Sequence, residues 1–296
     1  MSIYSLWGAL EIGLIFGLVA LGVLISFRIL RFPDLTVDGS FPLGAAVAAT
    51  LISAGANPFF ATGMAAVAGA AAGWITGWLN VKLRIMDLLA SILMMIALYS
   101  INLRIMGRPN VPLIMEPTVF TVMQPERLDD YVARPLLLLI IVLAVKLLLD
   151  WYFSTRQGLA MRATGSNPRM ARAQGVATGA MVLGGMALSN ALCALAGALF
   201  AQSQGGADIS MGIGTIVIGL AAVIVGERIL PSRRLAVVTL AVVLGAVLYR
   251  FFVALALNAE FIGLQAQDLN LVTAVLVTVA LVLPLIGQRL RGRKRS

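Results

Sequence analysis

The acidic residues are the first candidates for chemistry in this sequence, because two of them lie four positions apart beside an apolar run. Asp34 and Asp38 belong to the polar segment Phe32–Pro42, and Asp87 and Asp150 lie near the ends of other apolar runs. Two carboxyl groups that share a proton can perform acid–base catalysis, as in aspartic proteases. No surrounding motif fixes the geometry of these acids, so the residues give an intramembrane protease little support.

Composition excludes several other kinds of chemistry. The chain has no His and a single Cys, Cys193. It therefore has no histidine base and no His- or Cys-based metal site. The sequence also lacks the Gly-x-x-x-x-Gly-Lys-Ser/Thr pattern of phosphate-binding loops. We expect no metal, no cofactor and no ATP site of this type in the chain itself.

The overall composition is that of a protein embedded in a lipid bilayer. Hydrophobic residues make up 60% of the 296 residues and charged residues only 12%, whereas a soluble domain carries about 25% charged residues. The net charge of +9 could suggest nucleic acid binding. However, the basic residues lie in the gaps between apolar runs, as membrane topology requires, so we expect no nucleic acid partner.

Apolar runs of about 20 residues can each cross a bilayer as a helix. They predict an all-α polytopic membrane protein with about nine spanning helices, within a range of roughly eight to ten. The predicted spans are Leu6–Phe27, Leu43–Ala56, Phe59–Leu79, Leu88–Ile105, Pro135–Phe153, Met181–Phe200, Ile213–Leu230, Leu235–Leu257 and Leu269–Ile286. The second is short, and we expect it to begin within the preceding polar segment. Residues 1–288 form one predicted transmembrane domain, followed by a basic tail at 289–296.

The basic residues predict how the chain is oriented. Most of the 22 Lys and Arg residues fall in alternate gaps or in the tail. These gaps are 28–42, 80–87, 154–180 and 228–234. Because cytoplasmic loops carry an excess of Lys and Arg, we predict that these gaps and the C-terminus are cytoplasmic.

The basic segment Arg156–Val176 carries the end signals of a short helix. Asn167 is a favoured N-cap residue, Pro168 suits the first helical position, and Gly175 suits the residue just beyond the end. The helix between them has about two turns, which is too short to be stable alone in water. We therefore expect it to lie on a surface, formed either by lipid headgroups or by another protein.

The segment Phe32–Pro42 predicts irregular backbone at the membrane boundary, because it combines two acids, a Gly and two prolines. One interpretation is a break in a helix that lines a translocation path, involving Asp34, Thr36, Asp38 and Ser40. The other is a polar turn in which Asp38 or Ser40 caps the second span. The sequence leaves both interpretations open.

Two patterns within the spans predict structural contacts. Gly69, Gly73 and Gly77 recur every four residues, which lines them up on one helix face and predicts close helix packing. Lys146 and Asp150 are also four residues apart, so they can form an ion pair that lowers the cost of placing their charges in lipid.

Two gaps on the predicted external side are candidates for contact with a partner. Met106–Arg134 is polar and rich in proline, and loops of this length usually serve a function. Gln202–Gly214 is rich in glycine, which weakens helix formation and predicts a broken or re-entrant segment before the next span.

Three stretches of the sequence resemble one known family. Thr164–Val176 resembles the cytoplasmic coupling segment of the permease subunits of ATP-binding-cassette importers, in the group that serves branched-chain amino acids and ribose-type sugars. Asp34–Ser40 and Gly219–Gly226 are similar to two further runs of the sugar permeases, in the same order. The inserted Asp38, and Glu227 in place of a Gly, make the chain more similar to permeases that pair with lipoprotein-type binding proteins and are sometimes assigned to aromatic amino acids.

The resemblance implies a non-catalytic permease subunit in a bacterial inner membrane. A separate ATPase would bind ATP and Mg, an external binding protein (periplasmic or lipoprotein) would deliver the solute, and a second copy would complete a homodimeric channel. The residues expected to contact the ATPase are Asn167, Pro168, Arg169, Met170, Arg172 and Gly175.

Two other assignments stay open. One is a secondary transporter driven by an ion gradient, which would normally need more buried ionisable residues than this chain offers. The other is a permease of the same ATP-driven class that carries a sugar or a nucleoside.

Overall fold

The computed structural model describes residues 3–123, 129–232 and 234–257, together with 275 and 278. Within these residues, seven helices are long and apolar enough to cross a membrane, and Val37–Ser53 is a shorter apolar helix. The predicted all-α polytopic architecture is confirmed, but the count of about nine spans is not. The ninth predicted span lies almost entirely outside the described residues, as does the basic tail.

The helices and strands follow one another along the chain with short connections. They are α1 (Ile3–Val23), a π-helical segment (Leu24–Leu30), α2 (Val37–Ser53), α3 (Pro58–Val81), α4 (Asp87–Met106), β1 (Asn110–Pro112), α5 (Val119–Met123), α6 (Asp130–Ser154), α7 (Arg156–Ser166), α8 (Pro168–Ala173), α9 (Thr178–Gln204), β2 (Gly206–Asp208), a 3-10 turn (Ile209–Gly212), α10 (Thr215–Ile229) and α11 (Leu235–Leu257).

Local sequence signals explain several helix ends. Pro58 begins α3, and the Asn57 side chain before it accepts a hydrogen bond from the Phe59 amide at 2.9 Å. Gly107 and Gly205 end α4 and α9 with φ of +67° and +73°. This left-handed conformation costs a glycine little and is the usual way to close a helix.

The polar segment before α2 is more regular than the sequence predicts. Helix α2 begins at Val37 and contains both Ser40 and Pro42. Irregular backbone is therefore confined to residues 31–36, and the prediction of irregular structure up to Pro42 is wrong. The second apolar helix begins within the polar segment, as expected. Pro42 is the sixth residue of this helix, and its side chain packs against the 3-10 turn at Gly212.

The spans form one bundle in which α3 and α9 make the most extensive helix pair. They are antiparallel, since a side chain at Gly69 would meet Ala194 and one at Gly77 would meet Leu183. Gly69 and Gly73 lie so close to α9 that an added methyl group would clash with its backbone. This contact is the close approach that the four-residue glycine spacing predicts.

Helix α1 is the centre of the bundle. Its side chains Leu14, Ile15, Leu18 and Leu21 are at most 1% exposed. By contrast, α4 and α6 expose most of their apolar side chains, for example Ile140 and Trp151. An apolar surface of this extent is the one expected to face lipid.

The two ends of the bundle differ in composition and structure. One end, here called the basic face, carries α7 and α8, the end of the π-helical segment and the end of α10. The opposite end, here called the strand face, carries the antiparallel pair β1 and β2, in which Val111 lies opposite Ala207. This pairing joins the two loops that the sequence identifies as candidates for partner contact, and the sequence did not predict it.

Candidate functional site

The basic segment between α6 and α9 contains the helix predicted from its caps, now α8. The Asn167 side chain accepts a hydrogen bond from the Met170 amide at 3.1 Å, Pro168 occupies the first turn, and Gly175 has a φ of +81°. The sequence did not predict the helix before it, α7, which continues from α6 after a break at Thr155.

Helix α8 presents a mixed basic and apolar surface. Arg169, Met170 and Arg172 are exposed, and Met170 exposes 63% of its surface. Ala171 is only 4% exposed and lies on the side of the helix that faces the rest of the protein. Water solvates the apolar methionine side chain poorly, and methionine adapts well to a partner surface, so this exposed mixture of Arg and Met is suited to contact with another molecule.

Helix α7 connects α8 to the membrane-spanning bundle. Gly165 packs directly against the backbone carbonyl of Ile29 in the π-helical segment, where a larger residue would clash. Met161 is buried and lies beside Gly185 of α9. A displacement of α8 would therefore reach both the π-helical segment and α9 through α7. The π-helical segment is notable here, because such irregularities often occur at functional sites.

A set of hydrogen-bonded polar side chains, here called the polar junction, lies inside the bundle where α2 begins. Asp34 is fully buried and accepts hydrogen bonds from the Thr36 amide at 2.9 Å and from Nδ2 of Asn190 at 2.8 Å. Ser40 donates to Oδ1 of Asn190 at 2.7 Å, and the hydroxyls of Thr36 and Thr76 lie 3.0 Å apart. The junction joins residues 31–36, α2, α3 and α9.

The electrostatics of Asp34 follow from its burial. Asp34 lies between the π-helical segment and α2, outside the spanning helices. Burial raises the pKa of this carboxyl above its ordinary value, because desolvation disfavours the charged form, while the hydrogen bonds from Thr36 and Asn190 act in the opposite direction.

Asp38 serves a different contact from Asp34. Its Oδ1 accepts a hydrogen bond from the Ile216 amide at 2.8 Å, so it caps α10 across 178 positions of sequence. The prediction that Asp38 or Ser40 caps α2 is wrong, because Asp38 caps α10 and Ser40 bonds to Asn190. The N-cap residue of α2, Thr36, makes no side-chain cap of its own.

The residues predicted to line a translocation path are therefore not gathered at one open surface. Asp34, Thr36 and Ser40 are completely buried. Neither of two sizeable cavities includes them: one of about 650 Å³ lies on the basic face, and one of about 410 Å³ lies between α6 and α9. In this conformation they hold helices together, and their role in a path stays a prediction.

The junction includes residues that sequence analysis missed. Asn190 lies in the middle of an apolar run and is completely buried. An amide at that depth needs partners, and this is the signal that could have identified it. Thr76 gives a weaker signal, because its hydroxyl can also donate a hydrogen bond to the Ala72 carbonyl of its own helix, at 3.1 Å.

Two ion pairs fix helix ends. The predicted pair of Lys146 and Asp150 is present at 2.6 Å, and Asp150 also accepts a hydrogen bond from Thr239 at 2.7 Å, which joins α6 to α11. A pair that was not predicted links Arg28 to Glu227 at 2.7 Å on the basic face. It connects the end of the π-helical segment to the end of α10.

The structure offers no support for catalysis by paired acids. Asp34, Asp38 and Asp150 each bond to a different helix, and Asp87 accepts a hydrogen bond from Asn80. In the part of the chain that the structure describes, no group of three or more His, Cys, Asp or Glu side chains is arranged to hold a metal ion.

Comparisons with known proteins agree with this architecture. The profile of a family described as "Branched-chain amino acid transport system / permease component" matches residues 6–283. The chain is 37% identical over 264 residues to a protein of Clostridioides difficile named "Tyrosine transport system permease protein", covering 89% of this chain and 86% of that one. It is 38% identical over 221 residues to an uncharacterized protein of Rickettsia prowazekii, covering 75% and 76% of the two chains. No solved structure gives a significant match.

Proposed function

Because the chain belongs to the family of branched-chain amino acid transport permease components, we propose that it is the membrane subunit of an ATP-driven bacterial importer of an amino acid. A separate ATPase supplies the energy, and an external binding protein supplies the solute. The chain itself provides the path through the inner membrane and carries out no catalysis. The family assignment, which covers nearly the whole chain, is the observation that carries this proposal.

The proposed substrate is tyrosine or another aromatic amino acid. The support is the name of the relative from Clostridioides difficile, which is 37% identical over 89% of this chain. A branched-chain amino acid is the next candidate, because the family description names that class.

The proposed contact with the ATPase is α8. Its Asn167 and Gly175 hold a short helix with a defined beginning and end, and Arg169, Met170 and Arg172 are exposed on it. The positive-inside rule favours the cytoplasm for the face that carries these arginines. Contact of the same arginines with anionic lipid is the competing explanation for their exposure.

We propose that a movement of the ATPase is transmitted from α8 through α7 into the bundle. Movement of the ATPase shifts α8, and the contact between Gly165 and Ile29 passes the shift to the π-helical segment. That segment leads directly into the polar junction, which ties α2 to α3 and α9 through Thr36 and Asn190. A rigid-body rearrangement of packed helices is one of the usual ways in which such proteins switch between states.

The proposed docking surface for the binding protein is the strand face. Apolar side chains are strongly exposed there, with Met115 at 95%, Ile114 at 80% and Ile213 at 71%. The pairing of β1 with β2 gives this surface a defined shape. A second copy of the chain would complete the channel, as in a symmetric dimer.

Uptake of radiolabelled amino acids tests the proposal. Cells that lack the gene should take up tyrosine more slowly than wild-type cells, and expression of the chain should restore the rate. Leucine and ribose, supplied separately, test the branched-chain and sugar alternatives. If neither tyrosine nor another aromatic amino acid shows this difference, the substrate assignment is wrong, and a difference for leucine or ribose would identify the alternative.

Membrane vesicles separate the energy source from the substrate. Right-side-out vesicles with an ion gradient and no internal ATP should accumulate no tyrosine through this protein, whereas vesicles that regenerate ATP and receive the binding protein should. Accumulation driven by the ion gradient alone would identify a secondary transporter and contradict the ATP-driven mechanism.

A further inference from the structure

A cavity of about 650 Å³ lies on the basic face between the π-helical segment, α7 and the connection from α10 to α11. Three arginines line it, Arg28, Arg31 and Arg162, together with a single acid, Glu227. Glu227 pairs with Nε of Arg28 at 2.7 Å. In the part of the chain that the structure describes, neither Arg31 nor Arg162 has a side-chain hydrogen bond or ion pair. The lining therefore carries an excess of positive charge.

The backbone conformation of Arg31 is unusual. Its φ of +56° lies in the left-handed region, and its amide closes the π-helical segment by donating to the Ser26 carbonyl. This conformation is strained for a residue with a Cβ atom. Strained residues persist where the surrounding structure holds them, so the backbone of Arg31 is fixed at the wall of the cavity.

The ion pair leaves Arg28 available to a ligand. Glu227 bonds to Nε of Arg28, and the two terminal nitrogens have no hydrogen bond to any described residue. Glu227 therefore holds the Arg28 side chain at the wall of the cavity without using the fork of nitrogens that binds anions. The remaining lining includes the hydroxyl-bearing residues Ser166 and Ser232 and apolar side chains such as Leu235 and Val238.

We propose that this cavity binds a phosphate-bearing anion. The guanidinium groups of Arg31 and Arg162, with the terminal nitrogens of Arg28, provide donors whose planar geometry matches phosphate oxygens. A neutral zwitterion such as an amino acid would leave the excess positive charge uncompensated, so the charge balance favours an anion. Free phosphate and the headgroup of an anionic phospholipid share this chemistry. The inference does not depend on which solute the protein transports.

Binding measurements on the full-length protein in an uncharged detergent test this proposal. In one arm the probe is inorganic phosphate, followed by isothermal titration calorimetry. In the other arm the probe is dioleoylphosphatidylglycerol in mixed micelles, followed by native mass spectrometry, with dioleoylphosphatidylcholine as the lipid control. We expect saturable binding in at least one arm, and a loss of affinity of roughly tenfold to thirtyfold in the double variant Arg31→Gln/Arg162→Gln.

A matched pair of cations serves as the control. Arg84 and Lys82 lie exposed between α3 and α4 on the same face, outside the cavity, and Arg84 has the same left-handed backbone with a φ of +57°. The variant Lys82→Gln/Arg84→Gln should bind within about twofold of the wild type, because only general surface charge has changed. The variant Arg31→Lys/Arg162→Lys keeps the charge and should lose less affinity than the glutamine pair, which separates a binding defect from misfolding.

The outcomes are distinct. Binding of phosphate that the glutamine pair weakens identifies a site for a free anion. Binding of phosphatidylglycerol alone, weakened in the same way, identifies a headgroup site. The proposal is overturned if the wild type binds neither probe saturably, if the glutamine pair binds as the wild type does, or if the control pair loses as much affinity.

Discussion

Asn190 donates a hydrogen bond to Asp34 over 2.8 Å, although the two residues are 156 positions apart in the sequence. Both side chains are completely buried, and the oxygen of the Asn190 amide accepts a hydrogen bond from the Ser40 hydroxyl. One side chain thus joins α9 to the segment before α2 and to α2 itself. Removing either side chain would leave the other buried without a hydrogen-bond partner, and the free energy of the folded protein would then rise by the desolvation penalty of that group.

The first prediction concerns this pair. In a double-mutant cycle with Asp34→Ala and Asn190→Ala, we expect a coupling of about 1–3 kcal/mol in the free energy of unfolding, because each single change leaves a buried polar partner unsatisfied. Equilibrium unfolding of the purified protein in mixed micelles measures it. Additive effects of the two substitutions would contradict the polar junction.

The second prediction concerns the ion pair of Arg28 and Glu227. Its distance of 2.7 Å is similar to the 2.8 Å between Asn190 and Asp34, but its side chains are far more exposed. The Arg28 side chain is 61% exposed and that of Glu227 is 32% exposed. A cycle with Arg28→Gln and Glu227→Gln should give a coupling below about 1 kcal/mol, since exposed pairs are screened by solvent. The coupling should fall further in high salt. A larger value that resists salt would mean that the pair is buried in the working protein.

The third prediction concerns the contact that joins α7 to the π-helical segment. Gly165→Ala places a methyl group against the Ile29 carbonyl, and overpacking of this kind costs about 1–3 kcal/mol of stability. We expect slower uptake of substrate together with a lower midpoint of thermal unfolding. Gly184→Ala is the control, because nothing lies within 4 Å of a side chain added at Gly184. If the two variants behave alike, the contact between α7 and the π-helical segment is not part of the mechanism.

Local signals allowed much of the fold to be predicted. The apolar runs identified the spans because a helix in lipid must satisfy its own backbone and cover itself with apolar side chains. The caps at Asn167 and Gly175 identified α8 because a cap depends only on residues within one turn. The spacing of Gly69, Gly73 and Gly77 indicated a close helix contact, although it could not name α9 as the partner.

The interior contacts could not be predicted because they join residues far apart in sequence. Asp38 lies in the first turn of α2 but caps α10, and Arg28 pairs with Glu227 across 199 positions. Helix α7 could not be predicted either, because its own sequence is polar and contains glycine. Contacts with other helices, such as that of the buried Met161 with α9, stabilise it. Only the packed bundle brings these groups together.

The fourth prediction concerns the surface of α8. The triple variant Arg169→Ala/Met170→Ala/Arg172→Ala should reduce substrate uptake to the level of cells without the protein and should abolish co-purification of the ATPase. The helix itself should persist, because alanine is the best helix former and the capping residues Asn167 and Gly175 are unchanged. The midpoint of thermal unfolding should therefore stay close to that of the wild type.

A control variant on α7 makes this last experiment specific. Arg156→Ala/Leu159→Ala removes one exposed arginine and one exposed apolar side chain from the same basic face, so it changes general charge and lipid contact without altering α8. We expect it to keep both uptake and the ATPase. If the triple variant keeps both as well, α8 does not couple the two proteins. If the triple variant and the control lose uptake equally while the ATPase remains bound, the basic face acts through contact with anionic lipid, because both variants remove positive charge and an exposed apolar side chain from that face.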